Sequence, residues 1–244
     1  NGGHLDIHAD FHHHPKMNLE RRVHLLIYLN KDWQEHSGGP ISSENVGAEA
    51  YGTIFALKES PHEEGVIYSG SDDGLIHVSQ DGGDSWKRIS DSLPQNLWVS
   101  RVVASAHEKG RVYASLNGYR WDDFNPYLYV SENYGKTWQY LSSDLPAAPI
   151  NVVREDPANP EVLYVGTDMG VYISIDRGQH FQALGTEFPN VPVHDLAIQP
   201  EVKDLVIGTH GRSIYKLNIA NIQALTPEVQ AAAIHVFEMP KSKF

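Results

Sequence analysis

The 244-residue chain is 41% hydrophobic and 20% charged, the balance of an ordinary globular protein. Its 19 basic and 31 acidic residues leave a formal charge of −12; such a surface repels phosphate backbones, and no Lys/Arg cluster offsets it, which argues against nucleic-acid partners. There are no cysteines, so disulfides, thiolate catalysis and Cys-based zinc sites are excluded, and no run approaches the roughly 18 apolar residues of a membrane helix.

The first forty residues differ in kind from the rest. Half of the 14 histidines sit there: His4, His8, His12, His13, His14, His24 and His36. His8-Ala9-Asp10 is the His-x-Asp pair that supplies two of the three protein ligands in non-haem iron oxygenases. With its flanks, Gly3-His4-Leu5-Asp6-Ile7-His8-Ala9-Asp10-Phe11 and then the stretch 19–33, it resembles the prolyl-hydroxylase-like 2-oxoglutarate/Fe(II) oxygenases over residues 1–39. That resemblance implies Fe(II) at His8 and Asp10, the one cofactor to consider. The family continues into strands carrying a distal His and a basic residue for the 2-oxoglutarate carboxylate. Here Pro40-Ile41-Ser42-Ser43 follows Gly38-Gly39 instead. The expectation is an incomplete metal site without turnover, joined near Gly39-Pro40 to a different sequence, with both chain ends reading as cuts through longer ones. The β-prone run 23–29 is expected to be loosely ordered or paired onto the exposed edge of the first repeat.

From about residue 50 the chain repeats. Three segments align: Ser79-Gln80-Asp81-Gly82-Gly83-Asp84-Ser85-Trp86, Ser131-Glu132-Asn133-Tyr134-Gly135-Lys136-Thr137-Trp138 and Ser174-Ile175-Asp176-Arg177-Gly178-Gln179-His180-Phe181. Each follows a β-rich run: Val66-Ile67-Tyr68-Ser69-Gly70, Arg111-Val112-Tyr113-Ala114-Ser115 and Val162-Leu163-Tyr164-Val165-Gly166-Thr167. A fourth run, Leu205-Val206-Ile207-Gly208-Thr209, has lost the motif, and the period is 42 to 51 residues, that of a four-stranded propeller blade. Asp81, Asn133 and Asp176 can return a side-chain oxygen to backbone N–H groups, while Gly83, Gly135 and Gly178 accept the positive φ of a tight turn. Trp86, Trp138 and Phe181 then place a large ring between neighbouring sheets. The longest interval holds an aromatic-rich insertion, 117–127, and one helix is expected after Thr226-Pro227-Glu228, through Ala233.

The Ser-x-Asp/Asn-x-Gly-x-x-Trp/Phe pattern resembles the Asp-box, and residues 40–240 resemble sortilin-type propellers, a blade type shared with bacterial secreted proteins and xyloglucan-cleaving glycosidases. Supporting stretches are Gly70-Ser71-Asp72-Asp73-Gly74, Glu155-Asp156-Pro157 and Gly208-Thr209-His210-Gly211-Arg212. The expected fold is all-β: a partial β-propeller of about four four-stranded blades over 40–220, an oxygenase-like segment over 1–39, and a short helix and tail over 221–244.

Function divides three ways. A non-catalytic binding or scaffold module, secreted or periplasmic, would take a protein or glycan ligand and could self-associate through open blade edges. A glycosidase needs two carboxylates about 5 to 9.5 Å apart. Asp72, Asp73, Asp156 and Asp168 read as turn or structural acids, whereas Asp122 and Asp123 stand beside Tyr119, Trp121, Phe124 and Tyr127, so they are the catalytic candidates. His210-Gly211-Arg212 reads as a sharp turn. The third reading is the remnant oxygenase. The binding module is the expectation carried forward.

Overall fold

The computed structural model describes residues 52–185 and 188–237. The oxygenase-like segment, with His8, Asp10 and the run 23–29, lies outside the described residues.

Four antiparallel sheets follow one another along the chain. The first comprises β1 (Ile54–Glu59), β2 (Ile67–Ser71), β3 (Ile76–Ser79) and β4 (Lys87–Arg88). The second comprises β5 (Trp98–Ala104), β6 (Val112–Gly118), β7 (Asp123–Ser131) and β8 (Gln139–Tyr140). The third comprises β9 (Ile150–Glu155), β10 (Leu163–Thr167), β11 (Gly170–Ser174) and β12 (Gln182–Ala183). The last holds β13 (Val193–Gln199), β14 (Asp204–Thr209) and β15 (Ile214–Asn218). Within each sheet the strands pair in chain order, and the first strands β1, β5, β9 and β13 lie side by side. These are consecutive blades of a partial β-propeller. The fourth sheet stops at three strands among the described residues because the Ser-x-Asp motif that folds the last hairpin is missing from it.

The motif closes its hairpin without outside help. Ser79 Oγ accepts from Gly83 N at 2.8 Å and donates to Asp81 Oδ1 at 2.8 Å; that oxygen also accepts from Ser85 N at 2.9 Å. Ser131 and Asn133 repeat this with Gly135 N at 2.8 Å and Thr137 N at 2.9 Å. Ser174 and Asp176 repeat it with Gly178 N at 2.7 Å and His180 N at 2.9 Å. Gly83, Gly135 and Gly178 take φ of 101°, 80° and 84°. The residue before each is left-handed too, and Tyr134 and Arg177 accept that conformation at φ of 61° and 60°.

The seams between sheets reuse one device. Each sheet's first strand carries an irregularity in register near its start, and the residue beside it pairs with a fixed position of the second strand: Gly70, Ser115, Gly166 and Gly208. Gly70 leaves room for Val99 and Val102 of the second sheet, and Gly166 for Val193 of the fourth; a Cβ there would meet Val99 Cγ1 at 2.4 Å and Val193 Cγ1 at 2.8 Å. Gly208, with no sheet beyond it among the described residues, would meet nothing nearer than 3.5 Å. Trp138 reaches back to donate to the Ile89 carbonyl just past β4 at 2.7 Å, and Phe181 packs against a buried cluster drawn from the second and third sheets, including Leu128, Val130 and Leu163. Trp86 instead bonds the Gly83 carbonyl of its own turn at 3.0 Å.

Past the last sheet, α1 (Ala220–Gln223) folds back onto the third. Gln223 Nε2 donates to both oxygens of the buried Asp156 at 3.1 Å, and Asn159 Nδ2 donates to the carbonyls of Gln223 and Leu225, each at 3.1 Å. The expected helix follows as α2 (Pro227–Ala231), capped by Thr226, whose side chain accepts from Val229 N; it ends two residues earlier than expected.

Candidate functional site

At one rim, where the first strands begin and the second strands end, loops from three sheets enclose a cavity of about 320 Å³. Its residues occupy equivalent places in the repeat. Trp98, Asn151 and His194 stand near the starts of β5, β9 and β13, and Asn117, Asp168 and His210 near or just past the ends of β6, β10 and β14. The first sheet's counterpart to the latter three is Asp72. It is buried and spends its carboxylate on the N–H groups of Gly52 and Thr53 at 2.7 and 2.9 Å, and burial pushes its carboxyl above the usual range.

The cavity wall is a polar row ending in a carboxylate. Asn117 Nδ2 donates to Asn151 Oδ1 at 2.9 Å, and Asn151 Nδ2 donates to Asp168 Oδ1 at 2.8 Å. Opposite, the His194 and His210 rings lie 5.2 Å apart at 30°. The backbone Gly118-Tyr119-Arg120 turns through a single 3-10 segment, Tyr119–Trp121, and sets the Arg120 guanidinium over the Trp98 ring at 5.4 Å from its centroid. Phe55 of β1 meets the same indole edge-on at 5.3 Å. The Trp98 Nε1 atom is buried and has no hydrogen-bond partner among the described residues. Outside the cavity, Arg101 and Arg154 of neighbouring first strands both reach the Asp195 carboxylate, at 3.3 and 2.8 Å.

Asp122 and Asp123 sit elsewhere and are separately engaged. Asp122 closes the 3-10 segment in a left-handed conformation, φ 56°, its N–H bonded to the Tyr119 carbonyl. Asp123 opens β7 and accepts from Tyr127 OH at 2.7 Å and from Asn125 N and Nδ2 at 3.0 and 2.7 Å. Partial burial pushes its carboxyl up, but these donors outweigh it and hold the group below the usual range. The 117–127 insertion is therefore an extended β6–β7 hairpin, with Tyr119, Trp121 and Phe124 exposed near its tip. Asp168 and His210 do occupy turns, as their Gly neighbours suggest, with Gly170 at φ 120° and Gly211 at 73°. What local reading of the sequence missed is that both turns meet at one cavity. Their shared place just after each second strand was the available signal. Among the described residues no three His, Asp or Glu side chains converge as a metal site, and no helix is long and apolar enough to cross a membrane.

A family model described as the 2OG-Fe(II) oxygenase superfamily matches residues 1–90. The stretch includes His8 and Asp10, but its described part, 52–90, contains the strands of the first sheet. No curated protein matches the chain. Among solved structures, the GH74 enzyme of Niastella koreensis is similar at 18% identity and a TM-score of 0.58, over 70% of this chain and 29% of that one. The GH74 xyloglucanase of Xanthomonas campestris gives 20% and 0.56, over 68% and 28%. An ancestral GH74 enzyme gives 20% and 0.54, over 65% and 22%. The chain thus spans under a third of each of these relatives, and likenesses at such identity speak to fold alone: the described sheets are part of a β-propeller.

Proposed function

We propose that the chain is a non-catalytic binding module whose ligand occupies the rim cavity, within a propeller of the Asp-box, sortilin-like type. The carrying observation is the cavity's composition: a stacked arginine, two histidines and an amide row, with Asp168 as the only carboxylate lining it among the described residues. Cleaving a glycosidic bond takes a pair of carboxylates flanking it. The nearby hairpin acids do not supply a free pair, because Asp123 is held by Tyr127 and Asn125. The three Ser-x-Asp/Asn turns support the Asp-box reading, since each is closed by its own side chains and leaves the rim loops free to vary.

The test is a glycan and peptide array probed with the intact chain, followed by titration of the ligands found. Arg120→Ala and His194→Ala should each weaken binding without changing the circular dichroism spectrum. Release of reducing ends from any polysaccharide, abolished by Asp122→Asn or Asp123→Asn, would replace this reading with the hydrolase. The family match over 1–90 favours a second reading for the N-terminal stretch, a remnant oxygenase with His8 and Asp10 as Fe(II) ligands. Iron-dependent consumption of 2-oxoglutarate that His8→Ala abolishes is the result that reading requires.

A further inference from the structure

We infer that the rim cavity selects a carboxylate-bearing sugar, a uronate unit of an acidic glycan, with Arg120 taking the carboxylate. This rests on the binding reading above and names its ligand class.

Arg120 is the first observation. The chain is strongly acidic, and Arg88, Arg101, Arg111, Arg154 and Arg177 each hold a carboxylate of the protein. Arg120 makes no hydrogen bond or ion pair among the described residues. It lies instead over the Trp98 face. A guanidinium stacked this way keeps its planar fork of N–H donors fixed and unspent, which is the arrangement that grips a carboxylate through two parallel hydrogen bonds.

The second observation is the rest of the lining. The His194 and His210 rings line the cavity and make no hydrogen bonds among the described residues, which leaves their ring N–H groups unspent beside Arg120. Against this donor-rich side stands one acceptor-rich corner, where Asp168 has only Oδ1 occupied among the described residues, by Asn151. A uronate carries both complements on one ring: a carboxylate for the donors and hydroxyl groups that can donate to Asp168. An acidic peptide side chain brings the carboxylate without the hydroxyls and so leaves the second oxygen of Asp168 without a donor. A volume of about 320 Å³ sits at the small end of ligand pockets, suited to one or two ring units with the glycan continuing past the exposed Tyr119.

The experiment is calorimetric titration of the full chain with trigalacturonate, with its neutral counterpart galactotriose, and with a tri-glutamate peptide. Trigalacturonate should bind roughly tenfold tighter than galactotriose or more, the discrimination expected of a charge-assisted bidentate contact. Arg120→Gln should bring the two sugars to about the same affinity, and because Arg120 is exposed this variant should melt with the unmodified chain. Asp168→Asn should weaken both sugars together. Equal binding of the two sugars overturns the uronate assignment and leaves a glycan-binding module standing. Tighter binding of tri-glutamate overturns it in favour of an acidic peptide. If none of the three binds, the assignment falls; the binding reading falls with it only if the wider array is silent as well.

Discussion

Alanine placed at two equivalent glycines separates a closed seam from an open one. At Gly166 the new Cβ would lie 2.6 Å from Val152 Cγ1 and 2.8 Å from Val193 Cγ1, roughly an ångström short of ordinary carbon contact. Both neighbours are valines, whose branched Cβ resists turning away, so the strain must move backbone. Overpacking of this kind costs about 1–3 kcal/mol. In a domain of this size that lowers the melting temperature by roughly 2–12 °C. At Gly208, in the same register, the nearest atom to a new Cβ is the Asp195 carbonyl oxygen at 3.5 Å, an ordinary contact. Neither glycine takes a positive φ, so there Gly208→Ala should be neutral or stabilise by up to about 1 kcal/mol through the unfolded chain. Thermal unfolding followed by circular dichroism reads both variants. Equal losses at the two positions, or no loss at Gly166, would refute the seam geometry.

Trp138→Phe removes the indole N–H that bonds the Ile89 carbonyl across the first seam, and should cost about 1–2 kcal/mol in urea unfolding. Asp81→Asn should fold normally at neutral pH, because Asn133 serves the same turn in the next sheet. Hydrogen bonds from Ser85 hold the Asp81 carboxyl down to about 2, against 3.8 unfolded, so its contribution is present above pH 3.8 and is lost as pH falls toward 2. An acid titration of stability should therefore show a smaller loss in that window for the Asn variant. Glu155 is buried and accepts from Ser105 Oγ, Ala106 N and Tyr113 OH. Glu155→Ala should thus cost about 2 kcal/mol or more in chemical denaturation. Asp195→Ala, at an exposed pair of ion bridges, should cost under about 1 kcal/mol in the same measurement.

The blades were legible because each is written locally. A β-branched run ending at Gly, Ser or Thr and a Ser-x-Asp/Asn turn mark a hairpin, and the structure returns the expected bonds from backbone N–H groups to Asp81, Asn133 and Asp176, with serine Oγ bonds added that were not foreseen. Thr226-Pro227 marked a helix for the same reason. The cavity was not legible, because it joins Trp98, Asp168 and His210 from three repeats, and no local pattern signals their meeting. Asp122 and Asp123 attracted attention through their aromatic neighbours. Only the folded hairpin reveals that Tyr127 and Asn125 occupy Asp123. The three-stranded last sheet was half visible: loss of its motif could be read, but the return of α1 to the third sheet could not.

That return gives the last sheet an unusual mechanical standing. It has one neighbouring sheet among the described residues, and a terminal unit of a repeat array ordinarily opens first. Yet the chain leaves the third sheet after Ala183 and comes back to it at Gln223, which bonds Asp156 just past β9, so the fourth sheet is a loop with both ends held by the same support. Peeling it away requires the Asp156–Gln223 and Asn159–Leu225 bonds to break in the same event. The third and fourth sheets should therefore exchange their amide protons as one cooperative unit, with the weaker boundary of the molecule lying elsewhere.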